Sequence, residues 1–433
     1  MLVETVQLLG YDDLQHLATY CGLETCRALT LVSRELRSLF LPFTLHTIAY
    51  DGRTCTSPQT LVEICRKHGQ LVRRFEGCFG RAVVPRRPLV APLRPRDILP
   101  YLPHLEELSL YWPQGVTLPV LRGWVMPRAN GLLRLELKQD PSSPNAGLFT
   151  GLPVDDLTMM PRLQALVLDG FGSGSGASYH SLFWTQPRLR TLALTKYVTD
   201  SMVQAIAYCL PDLIELTLRL TQVSMETLSL LARQCSRLER LQISGLTTDN
   251  LAFLGDVRPS MWPRLTHLVL ERSELELSID PFADTTPFDR FLSYPWLTIR
   301  SLTCRYVPIN DRTLELISRN CPQLQRIVLS MCHPQASTGG YRFLLESLPQ
   351  LREFAVESNG DHALDSDILP TQKLGSSRIR RLSLKIHRVN LRHFLPLLPQ
   401  LHHLQNLTVS RSCKKLDFSL LQHHAPNLHI AFR

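Results

Sequence analysis

The chain is short of the features by which most activities are recognised. Its 433 residues contain no run of the roughly 18 apolar residues that a membrane-spanning helix needs. The opening MLVETVQLLGYDDLQ has neither the basic start nor the small-residue cleavage site of a secretory leader. These absences predict a soluble protein of the cytoplasm or nucleus with no membrane partner. Among 11 cysteines there is no Cys-x-x-Cys pair, which argues against a zinc site. Cys209, Cys235 and Cys321 instead fall at helix ends before the same recurring phrase, as small buried hydrophobes would. No Gly-x-Ser-x-Gly occurs. The glycine-rich DGFGSGSGAS from Asp169 is not followed by the Lys-Ser/Thr of a phosphate loop. The histidine pairs His402-His403 and His423-His424 are read as solvated helical surface rather than metal ligands. The expectation is a protein that is not an enzyme and has no cofactor, no metal and no catalytic residue.

What is there is a phrase. Leu-x-x-Leu-x-Leu recurs as HLEELSL from His104, RLQALVL from Arg162, DLIELTL from Asp212, RLERLQI from Arg237 and QLQRIVL from Gln323. Its first apolar residue falls at Leu105, Leu132, Leu163, Leu189, Leu213, Leu238, Leu265, Ile299, Leu324, Leu351, Ile379, Leu404 and Leu428. A period of that size marks a solenoid. In Leu-x-Leu, alternation across a strand points both leucines inward, and the Leu three places earlier closes the turn. One turn cannot cover its own apolar side, so neighbours must stack. Between phrases the periodicity changes from 2 to 3.6. Segments from Thr199, Ser224 and Asn310 open with a polar helix starter and continue with spaced apolar residues. The predicted fold is α/β: a leucine-rich-repeat solenoid with parallel strands on the concave side and helices on the convex side. It occupies residues 49–433, with insertions near 79–97, 140–158, 170–180 and 273–294.

Residues 1–48 stand outside this ladder as a small helical cluster. Leu9, Leu14 and Leu17 fit one helical face, and Leu29, Val32, Leu36 and Leu39 fit another. The segment from Leu9 to Ile48, with Leu31-Val32-Ser33-Arg34 in place, resembles an F-box. That is the module through which substrate receptors dock on the Skp-type adaptor of cullin-RING (SCF-type) ubiquitin ligases. NCPQLQRIVLSMC, from Asn320, resembles the cysteine-containing leucine-rich repeats that often follow one, in the irregular manner of divergent fungal members. The resemblance implies that Leu9, Leu14, Leu17, Leu29, Val32 and Leu36 divide between the cluster's own core and the adaptor groove. It implies a ligase partner and a protein substrate. The alternative reading is a leucine-rich-repeat scaffold whose N-terminal helices only cap the solenoid.

A cargo would meet the outward residues of the strands: Glu107, Tyr111, Arg134, Glu136, Glu215, Arg219, Arg240, Gln242, His267, Arg305, Arg326, Glu353, Arg381 and Lys385. The chain is +9 overall, yet the full set of outward strand positions holds 8 basic residues against 7 acidic ones. A reader of phosphate concentrates positive charge on its binding face, so nucleic acid is unlikely and a protein with mixed charge is expected. A third reading, nucleic-acid binding through the Pro-rich basic segment from Gly80 and the turns around Arg378, Arg380, Arg381 and Lys385, predicts steep salt dependence.

Overall fold

The computed structural model describes residues 34–51, 58–78, 94–112, 129–139, 160–169, 176–273, 285–332, 334–357, 378–385, 403–409 and 428–432. It also describes single positions at 25, 28, 30–32, 123, 125 and 127. Two compact units are present, Met1–Ala193 and Leu194–Arg433.

In the first unit, helix Arg34–Leu45 leads into strand β1 (Thr47–Asp51). It is followed by β2 (Arg74–Cys78), β3 (Glu107–Trp112), β4 (Arg134–Gln139) and β5 (Ala165–Leu168), all parallel and paired in chain order. Parallel neighbours require a crossover on every turn. Helix Pro58–His68 supplies one, and two short 3₁₀ turns, Pro95–Asp97 and Leu99–Tyr101, belong to the next. Strand β6 (Thr191–Thr199) carries the chain past the boundary between the units.

The second unit contains β7 (Glu215–Gln222), β8 (Arg240–Leu246), β9 (His267–Arg272), β10 (Ser301–Arg305), β11 (Ile309–Asn310), β12 (Arg326–Ser330), β13 (Pro334–Gln335), β14 (Glu353–Glu357), β15 (Arg381–Lys385), β16 (Asn406–Val409) and β17 (His429–Phe432). The short β11 and β13 form a separate parallel pair, and the others pair with their neighbours in chain order. Both units are thus α/β leucine-rich-repeat solenoids.

The phrase produces this core directly. All of its leading residues, from Leu105 to Leu428, are buried, none more than 8% exposed. The inward strand pairs, such as Leu135 and Leu137 or Leu241 and Ile243, are at most 2% exposed. At roughly 1.5–3 kcal/mol for each fully buried leucine, three per turn make the spine the main stabilising term. The phrase also extends further upstream than its leucines suggest. Leu45, Ile48 and Tyr50 shape β1, while Val72, Phe75 and Gly77 shape β2, with Phe75 fully buried. In the last turn, Leu407 pairs with Ile430, so Leu428 stands two places before the first inward residue rather than three. The lead-in there is one residue shorter, and Leu428 is buried nonetheless.

Two devices fix successive turns to each other. In most turns the carbonyl of the residue after the leader accepts two amides from the next turn. Glu106 takes those of Leu133 and Arg134 at 2.8 and 3.0 Å, and Arg300 takes those of Gln325 and Arg326 at 2.8 and 2.9 Å. On the helical side, an aspartate holds the N-cap of the following helix. Asp200 accepts from the Ser224 amide (2.8 Å) and hydroxyl (3.0 Å), and Asp311 does the same for Ser337 at 2.6 and 2.7 Å. Ser224 and Ser337 in turn cap helices Met225–Gln234 and Thr338–Ser347.

Two sequence expectations change in detail. Cys235 and Cys321 each accept the amide of the leader three residues on, but in the preceding turn that place belongs to Leu210, with Cys209 one residue earlier. Burial pushes the thiols of Cys235 and Cys321 up to about 12, so both are packing groups. The segment 273–294 is not insertion throughout. From Thr286 to Leu292 it is helix, burying Phe288, Phe291 and Leu292, with Phe291 stacked on Trp296 at 4.3 Å. Of the charged stretch before it, residues 274–284 lie outside the described residues.

Candidate functional site

Of the residues expected to meet an adaptor, Leu9, Leu14, Leu17 and Leu29 lie outside the described residues. Leu36 and Phe40, four apart, lie on one face of helix Arg34–Leu45, and Leu31 and Val32 come shortly before it in the chain. Leu36 and Phe40 are 3% and 1% exposed and belong to the core, whereas Val32 is 71% exposed and its neighbour Leu31 79%. The apolar residues of this segment are thus covered within the helix and exposed just before it. Leu36 serves packing and is not available to a partner.

On the strand face of the first unit the expected residues are brought together, but mostly with each other. Register places Glu107 beside Arg134, Ser109 beside Glu136 and Tyr111 beside Lys138. Glu136 is buried; it accepts from the Ser109 hydroxyl (3.0 Å) and from Arg134 Nε (2.6 Å), and pairs with Lys138. Burial raises its carboxyl pKa, but the hydrogen bonds from Lys138 and Arg134 and their charges outweigh this and hold it below the ordinary carboxylate value. Lys138 Nζ also lies over the Tyr111 ring at 5.5 Å. Glu107 meets Arg74 at 3.6 Å, and Glu106 meets Arg73 at the same distance.

The strand face of the second unit is paired in the same manner. Glu215 meets Arg240 at 3.2 Å, Glu271 meets Arg305 at 3.7 Å, and Glu353 sits between Arg326 (3.0 Å) and Arg381 (3.8 Å). Arg219 is exposed and Gln242 half-buried; of Lys385 only the backbone is described. His267 is half-buried, and its pKa is lowered first by burial and then by Arg240, Arg300 and Arg326. The hydroxyl of Thr266 lies 2.9 Å from the Glu239 carbonyl, to which it must donate, and 2.8 Å from His267 Nδ1. The imidazole therefore carries its proton on Nδ1 and presents Nε2 as an acceptor.

Reading only the alternate positions of each strand misses the row just before it. The residue after each leader, whose carbonyl seams the turns, also places a side chain at the N-terminal edge of the sheet. In successive turns of the second unit this row reads Ile214, Glu239, Thr266, Arg300, Gln325, Arg352, Arg380 and Gln405. Arg300, Arg352 and Arg380 are exposed, and among the described residues none makes an ion pair. The sequence signal was present, since Arg300 and Arg352 hold the same repeat position as Arg380.

No protein-family model and no curated protein matches the chain significantly. Remote structural similarity is found to a chain of the Rad7 and Elc1 complex in yeast, at 15% identity and a TM-score of 0.44, covering 64% of this chain and 68% of that one. A leucine-rich repeat-containing protein, LegL7 from Legionella pneumophila, is 15% identical with a TM-score of 0.39, covering 65% and 91%. Likenesses this distant carry no inference about partners. Among the described residues no helix is long and apolar enough to cross a membrane, and no three His, Cys, Asp or Glu side chains are grouped to hold a metal.

Proposed function

We propose that the protein is a substrate-recognition subunit of an SCF-type cullin-RING ubiquitin ligase. In this reading its N-terminal helices hold a Skp-type adaptor and its repeats hold a protein target. The observation that carries the reading is the exposed apolar pair Leu31 and Val32, just before the helix that buries Leu36 and Phe40, inside the segment that resembles an F-box. A helix that only capped its own solenoid would keep such residues covered. An exposed apolar helix face suits a hydrophobic groove on a partner. The receptor's contribution is proximity: it raises the effective concentration of the target near the conjugating enzyme and performs no bond chemistry itself.

Co-purification with a Skp-type adaptor tests this. Leu31→Asp with Val32→Asp, both on exposed positions, should abolish capture while the circular dichroism and melting temperature stay those of the wild type. Failure of the wild type to bind the adaptor at micromolar concentration removes the ligase reading and leaves the second one, a repeat scaffold with an N-terminal cap.

A further inference from the structure

The four consecutive strands β10, β12, β14 and β15 are entered through residues 298–301, 323–326, 350–353 and 378–381. These 16 positions hold six arginines, Arg300, Arg326, Arg352, Arg378, Arg380 and Arg381, and one acid, Glu353. All six arginines are exposed. Glu353 is already shared between Arg326 and Arg381, and among the described residues Arg378 reaches only the neutral Gln350 amide oxygen at 3.4 Å. The strands are parallel neighbours in exact succession, so the rungs are about 4.8 Å apart and the edge is about 14 Å long. The carbonyls of Arg300 and Arg352 each take two amides from the next turn, which fixes these side chains at the entrance of their strands. This edge is a fixed row of cations with an unmet demand for carboxylate or phosphate.

We infer that the N-terminal edge of β10, β12, β14 and β15 binds an extended peptide segment rich in aspartate and glutamate. This deepens the reading of the repeats as the target-binding part of a receptor by naming the chemistry of the target. About five extended residues span the row. The four segments contain no aromatic residue on which a nucleotide base would stack, as single-strand binders require. Instead the turn leading into β10 presents Leu297, 63% exposed, a contact for an apolar side chain among the acids.

The test is fluorescence anisotropy on the full chain with a labelled peptide of alternating glutamate and serine carrying one leucine. The same peptide with glutamine for glutamate and a single-stranded oligothymidylate serve as comparisons. The expected result is saturable binding of the acidic peptide alone, weakening as salt is added. Arg300→Glu, Arg352→Glu and Arg380→Glu together should weaken it at least tenfold, to about the sum of three lost surface ion pairs. Arg74→Glu, on the edge of the first unit, should leave it unchanged. If the triple variant misfolds by circular dichroism, the three glutamine replacements give the same ordering with a smaller loss. No binding by the wild type, equal binding by the triple variant, or tighter binding of the oligonucleotide than of the peptide each overturns the inference. Adaptor capture is measured separately, so its loss with peptide binding intact would sink the ligase reading alone.

Discussion

The two units use the same spine, but the strand entries of the first are ion-paired at β2 and β3 whereas those of β10, β12, β14 and β15 in the second are mainly cationic. In the first unit, Arg73 and Arg74 enter β2 and meet Glu106 and Glu107 one strand along, each pair 3.6 Å apart. In the second unit, six arginines entering four strands have a single glutamate among them. The leucines that form the core are indifferent to this choice, because the residue after the leader contributes its carbonyl to the seam whatever its side chain. Folding therefore constrains that position weakly, and the accumulation of one charge there opposes compactness without helping the core. A feature that folding does not explain is where binding is sought.

The comparison first requires that the spines be equivalent. Leu135→Ala in the first unit and Leu302→Ala in the second remove fully buried side chains at the same repeat position. Each should cost about 2–5 kcal/mol, read from urea denaturation. A large inequality would show that one unit's core is slack and would break the premise.

Charge removal should then separate the units. Glu136 is 9% exposed at its side chain and satisfies Ser109, Arg134 and Lys138 at once. Glu136→Gln leaves two cations facing a neutral amide in a buried setting, at a cost of about 1–3 kcal/mol. Glu353→Gln, at a site 25% exposed, should cost about 1 kcal/mol or less. The pH dependence has a definite sign. The Glu136 carboxyl lies below its ordinary range in the folded chain, so its contribution is complete at neutral pH and is lost as pH falls through that folded value. The glutamine variant should lack this acid-side loss. Equal costs at the two sites would mean that the first unit's pairing is decorative.

How much of this could be read in advance follows from what each position must do. The leaders were legible because a closing leucine has few substitutes, and every one of them is buried. β2 escaped notice because Val72, Phe75 and Gly77 meet the same burial requirement without spelling the phrase. Helix Thr286–Leu292 was hidden behind an acidic stretch, and its evidence was the Phe288, Phe291 and Trp296 cluster rather than a leucine period. The mixed sign of the strand-face charges is readable from alternation along each strand. What the sequence could not show is that they are spent on one another across strands, since partners such as Arg326 and Glu353 become neighbours only through register. The exposed pair at Leu31 and Val32 was likewise unreadable, because which part of an amphipathic helix is covered depends on what packs over it.

The smallest expected effect is the most direct gauge of the edge itself. His267 lies in the same strand-entry row as Arg240 and Arg326, and Arg300 enters the next strand; all three arginines depress its pKa. The neutral ring is favoured in the folded chain. On acidification the unfolded chain takes up the proton first, near pH 6.5, and the stability present above that value is lost as pH falls through the folded pKa. Burial is the larger cause, so relieving the crowding should lessen the depression without removing it. In a histidine NMR titration, Arg300→Gln should move the His267 midpoint upward by a small but resolvable amount, and added salt should do the same by screening. Arg74→Gln, removing a cation from the edge of the first unit, should not move it. An unchanged midpoint in Arg300→Gln and in added salt would mean that burial sets the imidazole, and that the cations of this edge are too well hydrated to act on a neighbour or to hold an acidic chain.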